Sequence, residues 1–502
     1  MFNNNIKVQV IKYLANCGLL LIISAQTFLA QNIATPPNGL VTEGIPSISE
    51  TLVKDFASVT DRTLAGLVNW KKDGTLIGYT EYYSPFFLNA DGKRTDFQVY
   101  PPSPLNLALQ PDSEQSFLFS KDNNGNESAQ LFNFEITSGN LVQITDSPEI
   151  QHVTSYLWSK NGNEIYLING SKERNEAEIY VLNPQTKEKK LLTKLKEYTQ
   201  YLLDTDGENL LFYRYISNTQ TTLHLLNLKS LEIAQINNGD ASFRGARFSK
   251  TLQGIWWLSD LNTDFNNLYF YDLKDKSIKK INTSELNITS FSISPDEKKI
   301  ALKINNSGTD ELRIFELNGT QIKKELEKPA IPVGLIEKIV WRNNDEIGFS
   351  FESVKDAAQV RVYNIASKSQ QTLIKGEGKK QLIESLADIQ QIKWKSFDGK
   401  EITGFMLEPK TKNPSAKMAV LIDIHGGPAN QHQPNYNAFK TYPAGNVPIV
   451  TIFPNIRGSS GFGKEFQNLD NLEKREDAIK DVQALLDWIE KQPQLDAKRV
   501  II

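Results

Sequence analysis

The stretch Val420-Leu-Ile-Asp-Ile-His-Gly-Gly-Pro428 decides the fold of the C-terminal part of this chain. Its first half is a nearly continuous apolar run of strand length, which suits a parallel strand buried on both faces. The two glycines that follow let the backbone turn sharply and expose its N–H groups without a Cβ in the way. An ordinary Gly-Pro turn after a core strand is the alternative interpretation of this motif alone. The surrounding sequence has to decide between the two.

The sequence on either side of this stretch is typical of an α/β sheet. A hairpin is predicted over Ile392–Trp394 and Ile402–Leu407, and a second buried strand over Val447–Phe453. A helix is expected between Leu472 and Ile489, and a new strand at Val500–Ile502. The helix's apolar positions are predicted to fall on one face and are listed here: Ile479, Val482, Leu485, Leu486 and Ile489. A hairpin followed by strand, strand, helix and strand is the opening half of an α/β sheet.

The preceding segment, from about residue 61 to residue 378, repeats a unit with a period of about 45 residues. Each unit begins with an aromatic or apolar residue and passes through a polar turn into an apolar strand; Trp70, Trp158 and Trp341 begin three of them. Alternation at period two with Asn, Asp and Gly turns indicates antiparallel sheets. Seven such units predict an all-β seven-bladed propeller in which these tryptophans occupy equivalent places. A β-sandwich pair is the alternative, and it does not explain seven matched periods.

Length and charge limit the classes of protein to consider. A chain of 502 residues is too long for one ordinary domain, so two or more are expected. Lys and Arg number 56 against 59 Asp and Glu, and no block of like charge occurs. This balance argues against a nucleic-acid partner or an acidic-membrane partner.

The N-terminus has the layout of a secretory signal peptide. Lys7 and Lys12 precede an apolar stretch over Leu14–Ala30, with small residues near its end. Residues 1–30 are therefore predicted to be a signal that is removed, and residues 31–60 an N-terminal extension. An uncleaved anchor is the alternative, but polar residues interrupt the apolar run. Cys17, the only cysteine, is expected to leave with the signal. The protein is predicted to be exported, periplasmic or secreted, with no stable membrane span after cleavage.

A seven-unit propeller followed by this turn resembles the prolyl oligopeptidase family of serine peptidases, especially its dipeptidyl-peptidase and acylaminoacyl-peptidase branches. Further matching stretches follow the family's order: Asp122–Glu127 through Gln130-Leu131, Asn455-Ile-Arg-Gly-Ser-Ser-Gly-Phe-Gly463, Asp477 with Asp481-Val482, and Leu495–Val500. The resemblance covers about Ser49 to Ile502. It implies a β-propeller over 61–378, followed by the N-terminal half of an α/β-hydrolase domain over 379–502.

The family's nucleophile lies in a Gly-x-Ser-x-Gly-Gly motif shortly after the strand that here begins with Arg499. The chain contains no Gly-x-Ser-x-Gly. Because the hydrolase triad runs Ser, Asp, His along the chain, all three catalytic residues are expected after Ile502, in a C-terminally truncated member. His152 and His224 are interpreted as structural, and His432 has no assigned role.

The resemblance also implies roles for residues that are present. In the family, the loop after the third strand gives one backbone N–H to the oxyanion hole. Gly427 is expected to supply it, with His425 and Gly426 shaping the loop. Arg457 is expected to order the loops around the site by charge-assisted hydrogen bonds. Glu127 is predicted to bind a substrate amino terminus; a solvated loop glutamate is the alternative.

The sequence thus predicts a serine-type peptidase that hydrolyses short peptides through an acyl-enzyme, although the 502-residue fragment itself is predicted to be inactive. Its propeller is expected to cap the active site. No metal or cofactor is expected, because no His/Cys ligand cluster occurs. The alternatives are a carboxylesterase of the same hydrolase fold and a non-catalytic propeller binding protein. The oligomeric state and the cleavage-site preference stay open.

Overall fold

The structure is a computed structural model. It describes residues 50–58, 63–80, 84–97, 99, 107–122, 125–146, 152–237, 240–281, 287–378, 380–410, 416–437, 440–442 and 449–502. The predicted signal peptide, residues 1–30, lies outside the described residues, and so does most of the predicted extension. Helix α1, Glu50–Ser58, is the part of that extension that is described.

Seven four-stranded antiparallel sheets follow one another along the chain, so the predicted seven-bladed propeller is confirmed. Blades 1 to 3 comprise Ala65–Trp70 (β1), Leu76–Thr80 (β2), Pro85–Leu88 (β3) and Arg94–Asp96 (β4); Ala108–Leu109 (β5), Ser116–Lys121 (β6), Gln130–Glu135 (β7) and Leu141–Gln143 (β8); and His152–Trp158 (β9), Ile165–Ser171 (β10), Glu176–Leu182 (β11) and Lys189–Lys196 (β12).

Blades 4 to 7 have the same order of strands. They comprise Gln200–Thr205 (β13), Asn209–Ser217 (β14), Gln220–Asn227 (β15) and Ile233–Gln235 (β16); Phe243–Phe248 (β17), Gly254–Ser259 (β18), Asn267–Asp272 (β19) and Ile278–Lys280 (β20); Asn287–Ile293 (β21), Lys299–Asn306 (β22), Thr309–Asn318 (β23) and Gln321–Leu326 (β24); and Leu335–Trp341 (β25), Glu346–Glu352 (β26), Gln359–Asn364 (β27) and Ser369–Ile374 (β28). The first strand of each blade lies innermost, and apolar clusters fill the space between blades.

Three tryptophans bind neighbouring blades together in the same way. Each is the last residue of the innermost strand of its blade. The indole N–H of Trp158 donates to Ala108 O at 3.0 Å, and that of Trp341 donates to Ser292 O at 2.9 Å, both on the preceding blade. Trp70 donates to Val340 O of blade 7 at 3.2 Å. The predicted equivalence of the three residues is correct, and the Trp70 bond closes the ring.

The C-terminal sheet has five strands in the order β29-β30-β32-β31-β33. They are Gln390–Lys395 (β29), Glu401–Leu407 (β30), Met418–Ile422 (β31), Ile449–Asn455 (β32) and Leu495–Ile501 (β33). Strand β31 is parallel to both of its neighbours. The predicted hairpin is β29–β30, and β32 is buried throughout. Residues 447 and 448 of the predicted second buried strand lie outside the described residues.

This part includes the helices Lys380–Ser385 (α2), Lys464–Gln467 (α3) and Arg475–Glu490 (α4), with a 3₁₀ turn at Leu472–Lys474. The predicted buried face of α4 was partly wrong. Ile479 is 66% exposed, whereas Leu485 and Ile489 are buried in the sheet's core. Asp481, which is fully buried, lies on that face instead because Arg457 pairs with it. The predicted domain limits stay predictions.

The propeller contacts the sheet's loops through turns that join second and third strands of its blades. Asp264, between β18 and β19, accepts the N–H of Glu465 on Oδ1 at 2.6 Å. In blade 6, Ser307 lies in the turn after β22, and its carbonyl oxygen accepts a hydrogen bond from the side-chain amide of Gln391 at 3.0 Å. Asn305 of the same blade donates to Gln431 Oε1 at 3.4 Å, which places the segment after Pro428 under the propeller rim.

Candidate active site

The Gly426–Gly427 turn lies at the carboxyl end of β31 and is exposed. Gly427 has φ +131, and a Cβ there would lie 3.0 Å from the Cβ of Asn430, so the position favours glycine. Within the described part of the chain, the N–H of Gly427 forms no backbone hydrogen bond. Among those residues the turn therefore presents an N–H without a backbone acceptor, as an oxyanion-hole donor must before substrate binds.

His425 is held against the loop that follows β32. Its Nε2 lies 2.9 Å from Ser459 Oγ, and the Ser459 hydroxyl donates to Ile456 O at 2.6 Å. Because the single hydroxyl hydrogen goes to that carbonyl, Nε2–H of His425 donates to Ser459. Burial, reinforced by Lys440, lowers the pKa of His425, which favours this neutral form. Ser459 is only 1% exposed, so the pair positions a loop and does not form a nucleophile with its base.

His432, to which the sequence assigned no role, is buried and supports this arrangement. Its Nε2 donates to Asp423 O at 2.6 Å, and its ring packs edge-on against His425 with centroids 5.1 Å apart. The backbone N–H and C=O of His432 both pair with the side-chain amide of Asn455, at 2.6 and 3.1 Å. Burial is the main cause that lowers the pKa of His432 to about 4, so the ring is neutral.

Arg457 lies in a buried network of its own, and its side chain is 3% exposed. Its Nε and Nη2 donate to Asp481 at 3.0 and 2.8 Å, and its Nη groups donate to both oxygens of Asp398 at 3.2 Å. Nη2 also contacts Ser396 Oγ at 3.3 Å, and the guanidinium lies over Phe397 at 4.7 Å. Burial lowers the pKa of Arg457, but the two carboxylates outweigh burial and raise it above its usual range. Arg457 thus joins the hairpin turn, the loop after β32 and α4.

Glu127 lies between β6 and β7, on the kind of turn that contacts the α/β sheet in blades 5 and 6. The residue is exposed, with φ +55, and its N–H donates to Asp122 Oδ2 at 3.2 Å. The structure does not bring it together with Gly427 or Arg457 through any contact between described residues. Its predicted role in binding an amino terminus stays a prediction.

Sequence reasoning missed three supports of the site. These are His432 with Asn455, Ser459 as partner of His425, and the Asp398–Ser396 end of the Arg457 network. The signal for the last was available, since Asp398 sits in the Asp-Gly turn of the predicted hairpin. Nothing in the spacing of His432 or Ser459 indicated their partners, because those contacts join two loops. In the described residues, no group of three His, Cys, Asp or Glu side chains is arranged to hold a metal ion. No helix among those residues is long and apolar enough to cross a membrane.

Comparison with known proteins points to one family. Residues 435–502 match the model of the prolyl oligopeptidase family. The uncharacterized peptidase YuxL of Bacillus subtilis is 23% identical over 282 residues, covering 55% of this chain and 35% of that protein. Dipeptidyl aminopeptidase BIII of Pseudoxanthomonas mexicana is 20% identical over 429 residues, covering 77% of this chain and 57% of that protein. The chain thus spans between a third and three fifths of the length of these two relatives.

Solved structures show the same fold. A prolyl endopeptidase superposes with a TM-score of 0.75 at 16% identity, over 90% of this chain and 70% of that one. Prolyl oligopeptidase B from Galerina marginata, with a bound 25-residue macrocyclization substrate, gives 0.75 at 13% identity over 89% and 69% of the two chains. The predicted fold class, a seven-bladed propeller followed by the start of an α/β-hydrolase domain, is therefore correct.

Proposed function

We propose that the chain is a member of the prolyl oligopeptidase family and forms the propeller and the oxyanion loop of a serine peptidase that hydrolyses short peptides. One observation carries the proposal: the free N–H of Gly427 at the carboxyl end of β31, beneath the propeller rim. Ligands of open α/β sheets bind outside the carboxyl ends of the strands. The relatives, a peptidase and a dipeptidyl aminopeptidase, support the same reaction class.

The proposed chemistry is acyl transfer to a serine. The serine hydroxyl adds to the scissile carbonyl, the amine leaves with a proton, and water then hydrolyses the acyl-enzyme. Negative charge develops on the carbonyl oxygen in both steps, and Gly427 N–H donates to it. The His425–Ser459 contact fixes one side of the turn. The Ser460 N–H, which donates to Asn430 O at 2.8 Å, fixes the other.

No Gly-x-Ser-x-Gly occurs among the 502 residues, so the nucleophile, the acid and the base are proposed to lie outside them. A polypeptide of these residues alone should then form no acyl-enzyme. A fluorophosphonate probe labels activated serines and tests this on the purified chain. Labelling should be absent, and it should appear when any in-frame sequence that follows Ile502 is expressed with the chain. Stoichiometric labelling of a serine within the 502 residues would overturn the assignment.

Export is proposed from the N-terminal pattern. Cleavage is expected near Ala25 or Ala30, where small residues end the apolar run. N-terminal sequencing of the protein from its native host tests it. A mature chain that begins near Gln26 or Gln31 supports export, whereas an intact Met1 contradicts cleavage.

A further inference from the structure

The innermost strand of each blade lies beside the propeller axis, so exposed residues within it face the central channel. The seven described innermost strands contain five Asp, Glu, Lys or Arg residues, namely Asp204, Arg244, Arg247, Glu337 and Lys338. Arg244, Arg247 and Glu337 are exposed and Lys338 is half-buried. The charges are concentrated on blades 4, 5 and 7, and three of the five are positive.

The two carboxylates of these innermost strands already have hydrogen-bond donors. Asp204 accepts the N–H of Thr205 and the N–H of Phe248, each at 2.9 Å. Burial, moreover, raises the pKa of Asp204. Glu337 accepts the phenolic hydroxyl of Tyr79. Neither carboxylate comes close enough to a channel cation to form an ion pair.

The three cations lack such partners. In the described part of the chain, Arg244, Arg247 and Lys338 form no ion pair and no side-chain hydrogen bond, and Arg247 rests over the ring of Phe291 at 5.3 Å. Burial, and then the positive charge of Arg247, lower the pKa of Lys338; burial also lowers that of Arg247. Asp204 and Glu297 attract Arg247, and Glu337 attracts Lys338, but no described carboxylate forms an ion pair with either cation. Their N–H groups are thus open to a bound anion.

The cations are arranged along the path from the α/β domain. Just before β17, Asp240 O accepts Lys464 Nζ at 2.9 Å, so this end of the strand faces that domain. Arg244 is the second residue of β17, and a bulge separates it from Arg247, so that the two residues pair with Leu258 and Trp256 of β18. Arg247 therefore lies roughly 7 Å deeper, two residues at about 3.3 Å each. A chain that extends from the Gly427 turn into the channel meets Arg244 first and then Arg247 with Lys338.

We propose that Arg247 and Lys338, with Arg244 at the entrance, bind a carboxylate of a peptide that extends from the α/β domain into the channel. The pair selects peptides with acidic residues or a free carboxyl terminus at that distance. This inference rests on the proposed peptidase function and names its substrate class. Each cation that is matched to a carboxylate contributes a charge-assisted hydrogen bond in a partly dry site.

The test measures binding to the 502-residue chain by isothermal titration calorimetry. One probe is an acetylated hexapeptide of four alanines and two glutamates with a free carboxyl terminus. The other has two glutamines and a C-terminal amide. The acidic peptide should bind at least tenfold more tightly, and its binding should weaken steeply with salt. This comparison uses the unmodified protein and needs no variant to fold.

Variants then locate the site. Arg247→Gln and Lys338→Gln should each weaken binding of the acidic peptide about tenfold, and neither should affect the neutral one. Lys324→Gln, on the exposed outer strand of blade 6, removes the same charge and should change nothing. Equal binding of the two peptides, or unchanged binding to folded Arg247→Gln and Lys338→Gln, would overturn the proposal. So would displacement of the peptide by equimolar inorganic phosphate, since the channel would then hold any small anion. The readout of this test is binding. A negative result therefore does not affect the acyl-enzyme proposal, and a negative result in serine labelling does not affect the carboxylate-binding proposal.

Discussion

Arg457 and Asp481, 24 residues apart, form a buried pair that connects the loop after β32 to α4. Asp481 accepts both the backbone N–H of Arg457, at 2.9 Å, and its side-chain nitrogens. The carboxylate is fully buried, and the guanidinium reaches on to the hairpin turn at Asp398. The loop after β32 is therefore fixed by a contact between two charges that lie inside the domain.

Loss of Asp481 should be costly, because Arg457 would remain buried with only the partly exposed Asp398 and Asp477 as carboxylate partners. Asp481→Ala is expected to lower the free energy of unfolding of the α/β part by about 3–5 kcal/mol. Asp496→Ala breaks the more exposed pair with Arg499, joined at 2.7 Å, and should cost about 1 kcal/mol or less. Urea unfolding followed by hydrogen exchange separates this part from the propeller. Similar losses for the two variants would show that the buried pair is not the main support.

Ring closure by Trp70 gives a second prediction. Trp70→Phe removes the hydrogen bond to Val340 O, which joins blades 1 and 7. Trp158→Phe removes the equivalent bond between blades 2 and 3, which are consecutive in the sequence. Each should cost about 1 kcal/mol. Only the first should open the seam between blades 1 and 7, since no covalent connection crosses it. Hydrogen exchange should rise in β1 and β25 for Trp70→Phe alone; a rise in every blade would contradict this.

The blades could be predicted because each is a local unit whose strands and turns repeat in the sequence. The α/β character of the C-terminal part also followed from pattern, since a hairpin, two apolar strands, an amphipathic helix and a further strand succeed one another in the sequence. The helix face failed at Ile479 because periodicity counts only apolar residues. Asp481 occupies the buried face by virtue of a partner in another loop, and a single sequence does not show that partner.

The candidate site likewise has one part that the sequence predicts and another that it does not. The turn at Gly427 follows from local glycine chemistry, and the structure gives the positive φ that this chemistry requires. The supports from His432 and Ser459 depend on how two loops meet, so no spacing indicates them. The channel cations Arg247 and Lys338 belong to blades 5 and 7, and only ring closure brings them to one axis.

Acid sensitivity should come partly from His432. Burial lowers its folded pKa to about 4, below the ordinary value of 6.5. The stabilising contribution is therefore complete above pH 6.5 and is lost as pH falls towards 4, where the unfolded chain takes up the proton first. At about 1.4 kcal/mol per pKa unit, the loss approaches ~3 kcal/mol.

His432→Gln should reduce this dependence, although the variant is expected to be less stable at pH 7. The measurement is the difference in Tm between pH 7 and pH 5, compared with the unmodified chain. His152→Gln serves as the comparison, because burial also lowers the pKa of His152 although its ring is only half-buried. An unchanged Tm difference in His432→Gln would show that other groups set the acid response.

The last prediction concerns Gly427 in an enzyme that carries the complete triad. Gly427→Pro removes the N–H donor, and kcat on a peptide ester should fall on the order of 10²–10³-fold, the usual cost of one oxyanion donor. Gly427→Ala retains the N–H but strains the backbone at φ +131, and Gly427→Pro, whose ring holds φ at about −65°, strains it further. Gly427→Ala should therefore lose less activity and less stability than Gly427→Pro, and a loss of kcat in Gly427→Pro that is out of proportion to its extra loss of Tm is due to the missing donor. Near-normal turnover by a folded Gly427→Pro enzyme would show that this glycine only forms the turn, because forming the turn does not require its backbone N–H.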